Sequence, residues 1–324
     1  MWHSVYSYSV CALALGLSCA FAPQTFGGDV TPAKGKEKLV EAGKAREFPK
    51  VDWAKRTSKE TAHYHLETNV PEDAQQYLMA LLEAEYSFYA QRLGVAPAGK
   101  LNVFVYATME DFAADALASL KYNVRPGESG MYVPHPDAKK RGLYVPWVKM
   151  RSGLEPTAIV LHEGFHQFYH ALYKTQDPKW FNEAIATYYE NMDFDGEKVI
   201  DAAKISSSKL KGMQDIIKKG GGESLAQMMQ VPAANFVGPQ YCEAWSFVYF
   251  MFWSEKDSAK RAEMQRCFLA FFAAVKDSKQ HTPEGFEHAT GLKLADLEPK
   301  WKEFVQALNP DDAWGGLGDP AGRK

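Results

Sequence analysis

Two histidines and a glutamate stand together in "IVLHEGFHQFYH", residues 159–170. His162 and His166 are four positions apart, with Glu163 between them. An α-helix turns by about 100° per residue, so positions four apart share a face. Two imidazole nitrogens can therefore reach one ion. Glu163 is rotated by about 100° from His162, which puts its carboxylate beside such an ion rather than on it. A general base for a metal-bound water belongs there. Zn²⁺ suits a mixed nitrogen and oxygen set, and a catalytic zinc keeps three protein ligands and one open position. His170, one turn further on, lies about 12 Å along the axis from His162. That is too far to meet an ion bound at about 2 Å, so we exclude it as a ligand and expect a partly exposed helix-face histidine.

The third ligand is sought beyond the break at "KTQDPK". "WFNEAIATYYE", residues 180–190, reads as a second helix that a hairpin can fold back beside the first. Glu183 then completes a His-His-Glu set. Glu190 lies on nearly the same face and either supports a ligand or sits at the surface. Asn182 either orients the neighbouring chain or faces solvent. The pattern H-E-x-x-H is short and arises by chance in many chains. Here, however, Ile159, Val160, Leu161, Phe165 and Phe168 surround it, and a half-buried glutamate between histidines needs a partner.

The positioning elements are legible around it. Pro156 fits the first turn of a helix running to about Tyr173. Upstream, "HYHLETNV" (63–70) alternates as a strand, and Pro71 opens a helix that Gly94 closes. "KLNVFVYA" (100–107) is a second strand, followed by a short helix over Glu110–Leu120. "SGMYVPHP" (129–136) and "RGLYVPWV" (141–148) are two more strands around a polar turn. From Glu155 onward the pattern is almost entirely helical. The expected fold is α+β: a small N-terminal sheet with helices (59–150), then a mostly helical metal-binding half (151–310) that carries the H-E-x-x-H helix. Residues 23–58, rich in Lys, Gly, Pro and Ala, read as a linker or loosely ordered arm, and 311–324 as a flexible tail. "AWSFVYFMFW" (244–253) and "CFLAFFAAV" (267–275) are too short to span a bilayer and read as buried helices. "KKGGGES" (218–224) is a turn, without the flanks of a phosphate loop.

A net charge of −3, from 37 basic and 40 acidic residues, gives no electrostatic case for nucleic acid as a partner. Residues 1–22 read as a secretory signal, with the apolar run "VCALALGLSCAFA" from Val10. This implies export to a periplasmic or extracellular space, with membrane attachment only if Cys19 is lipidated. The mature chain then keeps Cys242 and Cys267. These can bridge if helices 240–253 and 258–275 pack antiparallel with the two positions at similar heights.

The stretch "LHEGFHQFYHALYKTQDPKWFNEAIATYYE" resembles the gluzincin zinc metallopeptidases, in which a second helix supplies a glutamate after H-E-x-x-H. It resembles more closely the exported bacterial proteins of the DUF1570 family in the peptidase MA-like clan. The carrying segments are His162–Gln167, Pro178 to Glu190, and "YCEAWSFVYF" from Tyr241. The likeness runs over about residues 60 to 308. Ala184 departs from the usual glycine beside the ligand. The resemblance implies that His162, His166 and Glu183 hold Zn²⁺. It implies that Glu163 takes a proton from the zinc-activated water and later gives it to the leaving amine. It makes Tyr241 the donor to the developing oxyanion, with a core tyrosine as the alternative. Gly130–Pro134 becomes either an edge strand that pairs with an extended substrate or an ordinary internal strand. The function implied is an exported zinc metallopeptidase acting on a peptide or protein substrate. The alternatives are a cell-envelope binding or scaffolding protein with a non-catalytic metal site, and a zinc hydrolase of a non-peptide amide or ester. Three convergent ligands rather than four favour an open, catalytic site.

Overall fold

The computed structural model describes residues 34–150, 154–201 and 203–313. The leader, including Cys11 and Cys19, and the tail from 314 onward lie outside the described residues.

The chain is α+β. Strands β1 (Thr57–Glu60), β2 (Tyr64–Thr68), β3 (Leu101–Tyr106), β4 (Met131–Val133) and β5 (Gly142–Pro146) form one sheet, ordered β1-β2-β3-β5-β4. The three central strands are parallel, and both edge strands are antiparallel to their neighbours. Parallel neighbours need crossovers. Helix α2 (Glu72–Leu93) links β2 to β3, and α3 (Met109–Leu120) follows β3. Gly94 closes α2 in the left-handed region at φ 66°, where glycine carries no Cβ penalty. The sheet's two faces separate by alternation. Leu66, Val103, Val105, Leu143 and Val145 enter the main core with α2, while Phe104, Tyr106 and Tyr144 meet Phe112 of α3 on the other side.

The stretch expected to be a loose arm is ordered from residue 34. Helix α1 (Lys34–Gly43) packs on α2. Its Gly43 carbonyl accepts a bond from Trp147 Nε1 at 3.0 Å, and a Cβ at Gly43 would strike the Tyr77 ring at 2.2 Å. The lysines and glycines that suggested a linker thus flank a single close helix–helix approach, and β1 then adds an edge to the sheet.

The second half is helical. It comprises α4 (Pro156–Tyr173), α5 (Lys179–Tyr189), α6 (Ser207–Lys218), α7 (Leu225–Met228), α8 (Gly238–Trp253), α9 (Ser258–Ala274), α10 (Pro283–Thr290) and α11 (Leu294–Ala307). A small hairpin of Asp193–Phe194 and Val199–Ile200 interrupts it, its strands too short to register as a periodic pattern. Helix α8 is buried without a break from Glu243 to Trp253, enclosed by α5, α6, α9 and α11. No helix among the described residues is long and apolar enough to cross a membrane.

Cys242 and Cys267 are not bridged, which corrects the disulfide expectation. Helices α8 and α9 do pack together. Yet Cys242 Sγ faces α6, 2.7 Å from where a Cβ on Gly212 would stand, while Cys267 Sγ donates to Glu263 on its own helix at 3.6 Å. Packing of the two helices is insufficient when the two sulfurs meet different neighbours.

Candidate metal centre

Helices α4 and α5 form an antiparallel pair. Lys174 ends α4 in the left-handed region, its N–H bonding the His170 carbonyl at 2.9 Å, and Pro178 opens α5. Tyr169 Oη donates to the Asp177 carbonyl at 2.7 Å next to the turn. Further along, His166 meets Asn182 and His162 meets Glu190. The Glu-bearing helix therefore lies where the hairpin argument put it.

Each imidazole is held by Nδ1 and aims Nε2 inward. His162 Nδ1 is 2.9 Å from Glu190 Oε2, and His166 Nδ1 is 2.8 Å from Asn182 Oδ1. The Asn182 amide is itself oriented, since its Nδ2 donates to the Gln176 carbonyl at 3.0 Å. An acceptor on Nδ1 places the proton there and leaves the Nε2 lone pair exposed in the neutral ring. His162 Nε2 lies 3.4 Å from Glu183 Oε2, and His166 Nε2 lies 3.5 Å from Glu183 Oε1. One donor atom from each of the three residues falls within 4.8 Å of the others. Donors arranged tetrahedrally around zinc at 2.0–2.1 Å stand roughly 3.3 Å apart, so the set fits that ion.

The electrostatics of the donor set suit a cation. The Glu183 side chain is 5% exposed. Burial would push its carboxyl up, but the charge of His166 and the bonds from both imidazoles hold it well below the usual range. Burial would lower His162, yet bonds to Glu183 and Glu190 keep its imidazole well above its ordinary value. Lys179 adds an ammonium on Glu183 Oε1.

Glu163 is not one of the three donors; its charge acts on His162 and Tyr241, and its carboxylate also reaches the sheet edge. Its Oε2 accepts the main-chain N–H of Tyr132 at 2.8 Å. Strand β4 is indeed an edge. His170 is not part of the donor set; its Nδ1 meets Tyr132 Oη at 2.8 Å. Tyr241, in the first turn of α8, is half-buried between Phe236 and the Lys209 ammonium, which lies 5.2 Å from its ring centre. Burial first, then the negative charges of Glu183 and Glu163, raise its hydroxyl above the ordinary range. Tyr241 therefore faces the same cluster.

Three participants escaped sequence reasoning. Lys179 sits one turn before Glu183, a spacing that favours an ion pair and was there to be read. The Tyr132 amide is a backbone group without a sequence signature. Glu85 of α2 is fully buried behind α4, with Tyr64 Oη donating to it at 3.1 Å. It lies against Gly164, where any Cβ would stand 2.7 Å from its carboxylate oxygens.

A family model described as "Protein of unknown function (DUF1570)" matches residues 156–265. The matched stretch begins with α4 and reaches into α9, so it contains every residue of the donor set together with Asn182, Glu190 and Tyr241. Over that stretch, about a third of the chain, the sequence is similar to the DUF1570 family. No curated protein gives a significant match.

Proposed function

We propose that this chain is an exported, zinc-dependent metallopeptidase of gluzincin type. One observation carries the reading. Two imidazoles and a carboxylate from antiparallel helices converge through Nε2 and Oε atoms, while both Nδ1 atoms are tied back to Glu190 and Asn182. Ordinary helix-surface histidines have no reason to be oriented twice over.

Zinc held by His162, His166 and Glu183 would supply a Lewis acid for water and carbonyl oxygen. The chain's own residues do the rest. Glu190 and Asn182 fix the rings. Glu163 has one oxygen occupied by the Tyr132 amide, so Oε1 is its free proton acceptor. It takes the proton of the attacking water there and returns it to the leaving amine. The Tyr241 hydroxyl donates to the oxygen on which negative charge develops. An extended peptide lies along the open edge of β4.

Elemental analysis of the purified protein, with a broad peptide-library cleavage assay, tests the proposal. Wild type should carry zinc and cleave, and Glu183→Ala should lose most of the metal. Glu163→Gln should keep zinc and thermal stability but hydrolyse at least about 10²-fold more slowly. Equal cleavage by Glu163→Gln would refute the mechanism.

A further inference from the structure

Glu183 has a cationic neighbour in addition to the two imidazoles. Lys179, one turn earlier on α5, sets its ammonium on Glu183 Oε1. That oxygen is also the one 3.5 Å from His166 Nε2. The Lys179 side chain is 26% exposed and Glu183 only 5%, so the ammonium has a way out to solvent that the carboxylate lacks. Three carboxylates gather here, from Glu163, Glu183 and Glu190. Among the described residues, Lys179 is the one lysine or arginine that forms an ion pair with any of them.

Resting on the metal-centre reading above, we propose that Lys179 is a resident counter-ion that competes with the metal for Glu183. It neutralises the donor set in the metal-free protein and gives way when a divalent cation takes the carboxylate. The physics is charge crowding. A buried carboxylate without a cation is costly, so Lys179 stabilises the fold when no metal is bound. A divalent ion on the same carboxylate then lies within a few ångströms of the ammonium and repels it, in a setting where water screens poorly. The ammonium must leave its partner, and that lost ion pair is subtracted from metal affinity. Lys179 thus sets how tightly the site holds its metal without contacting substrate.

The test uses the full-length protein, stripped by a chelator and titrated with zinc against a chromophoric competitor. Lys179→Met keeps the length and helix propensity but removes the charge. It should bind zinc at least about tenfold more tightly than wild type. Its metal-free form should melt earlier, and zinc should raise its midpoint by more than it raises that of wild type. Lys179→Arg should retain wild-type affinity, and Lys179→Gln serves in place of the methionine variant if that fails to fold. Equal zinc affinity in the neutral variant overturns the proposal and leaves the metal centre standing. Weaker affinity overturns it too, and would make Lys179 a prop that holds Glu183 in place. If no folded variant binds zinc, the metal-centre reading falls and this inference falls with it.

Discussion

Alanine is a better helix former than glycine, yet Gly164→Ala should destabilise this protein. In a helix interior the exchange favours alanine by up to about 1 kcal/mol. Against that stands Glu85. A Cβ at position 164 would lie 2.7 Å from both Oε1 and Oε2 of Glu85 and 3.0 Å from its Cδ. Comfortable carbon–oxygen contact begins near about 3.3 Å, so the overlap is roughly 0.6 Å. Glu85 has no exposed surface, and turning it away would break the bond from Tyr64 Oη. Overpacking a core by one methyl costs about 1–3 kcal/mol, and the small overlap with two oxygens of a side chain that cannot move puts this site toward the upper end, which leaves a net loss of up to about 2 kcal/mol after the helix gain. Urea denaturation should show a lower midpoint at unchanged slope. If α4 yields rather than Glu85, His162 and His166 shift with it and zinc affinity drops as well. Combining Gly164→Ala with Glu85→Ala should cost less than the sum of the two single changes, because truncating Glu85 clears the space that the new methyl occupies, and the methyl fills part of the cavity left behind. A Gly164→Ala protein as stable as wild type would refute the close approach of these two residues.

Other outcomes follow from the same geometry. Tyr241→Phe should lower turnover by about 10²-fold with zinc retained; unchanged turnover with lost stability would return Tyr241 to a packing role. Asn182→Leu removes the acceptor on His166 Nδ1 and should weaken zinc binding by about 10–100-fold, measured by chelator competition. Unaltered affinity would mean that the ring needs no such support. Burial holds the Glu85 carboxyl well above its ordinary value, against the opposing bond from Tyr64. The native state therefore keeps a proton that the unfolded chain releases. Stability from this group is present at acid pH and is lost at about 1.4 kcal/mol per pH unit as pH rises between the unfolded and folded pKa values. Glu85→Gln should gain on wild type in thermal midpoint from about pH 5 to 8; parallel pH profiles would refute the neutral carboxyl.

Much of this was readable in the residues, for identifiable reasons. Helix α4 was bounded by Pro156 and Tyr173 because proline in the first turn and an apolar period of 3.6 are strong local signals. His162, His166 and Glu183 were legible because helical spacing fixes one pair and a short hairpin fixes the third. Glu190 and Asn182 were left open, since which side chain reaches an imidazole Nδ1 depends on how far one helix slides along the other. Helix α1 was missed because its anchorage is long-range: one glycine against Tyr77 and one carbonyl beneath Trp147. The disulfide expectation failed on orientation, since a helix repeats every 3.6 residues and equal height says nothing of facing. Glu85 carries no local signal of burial in the sequence. Its burial depends on Gly164, a residue far away in sequence whose only contribution is the side chain it lacks.

Strand β4 also bears on how copies of this protein behave toward one another. It is three residues long, and Pro134 directly after it has no N–H to offer. Tyr132 pairs in register with Leu143, but its N–H turns outward and is already taken by Glu163. The carbonyl of the same residue shares that outward side. What β4 presents at its centre is therefore an acceptor with no matching donor. Two such edges meeting would bring carbonyl against carbonyl, so this border resists the edge-to-edge strand pairing that drives aggregation of exposed strands. A visiting chain that brings its own N–H can still dock there, one residue deep, in a single alignment.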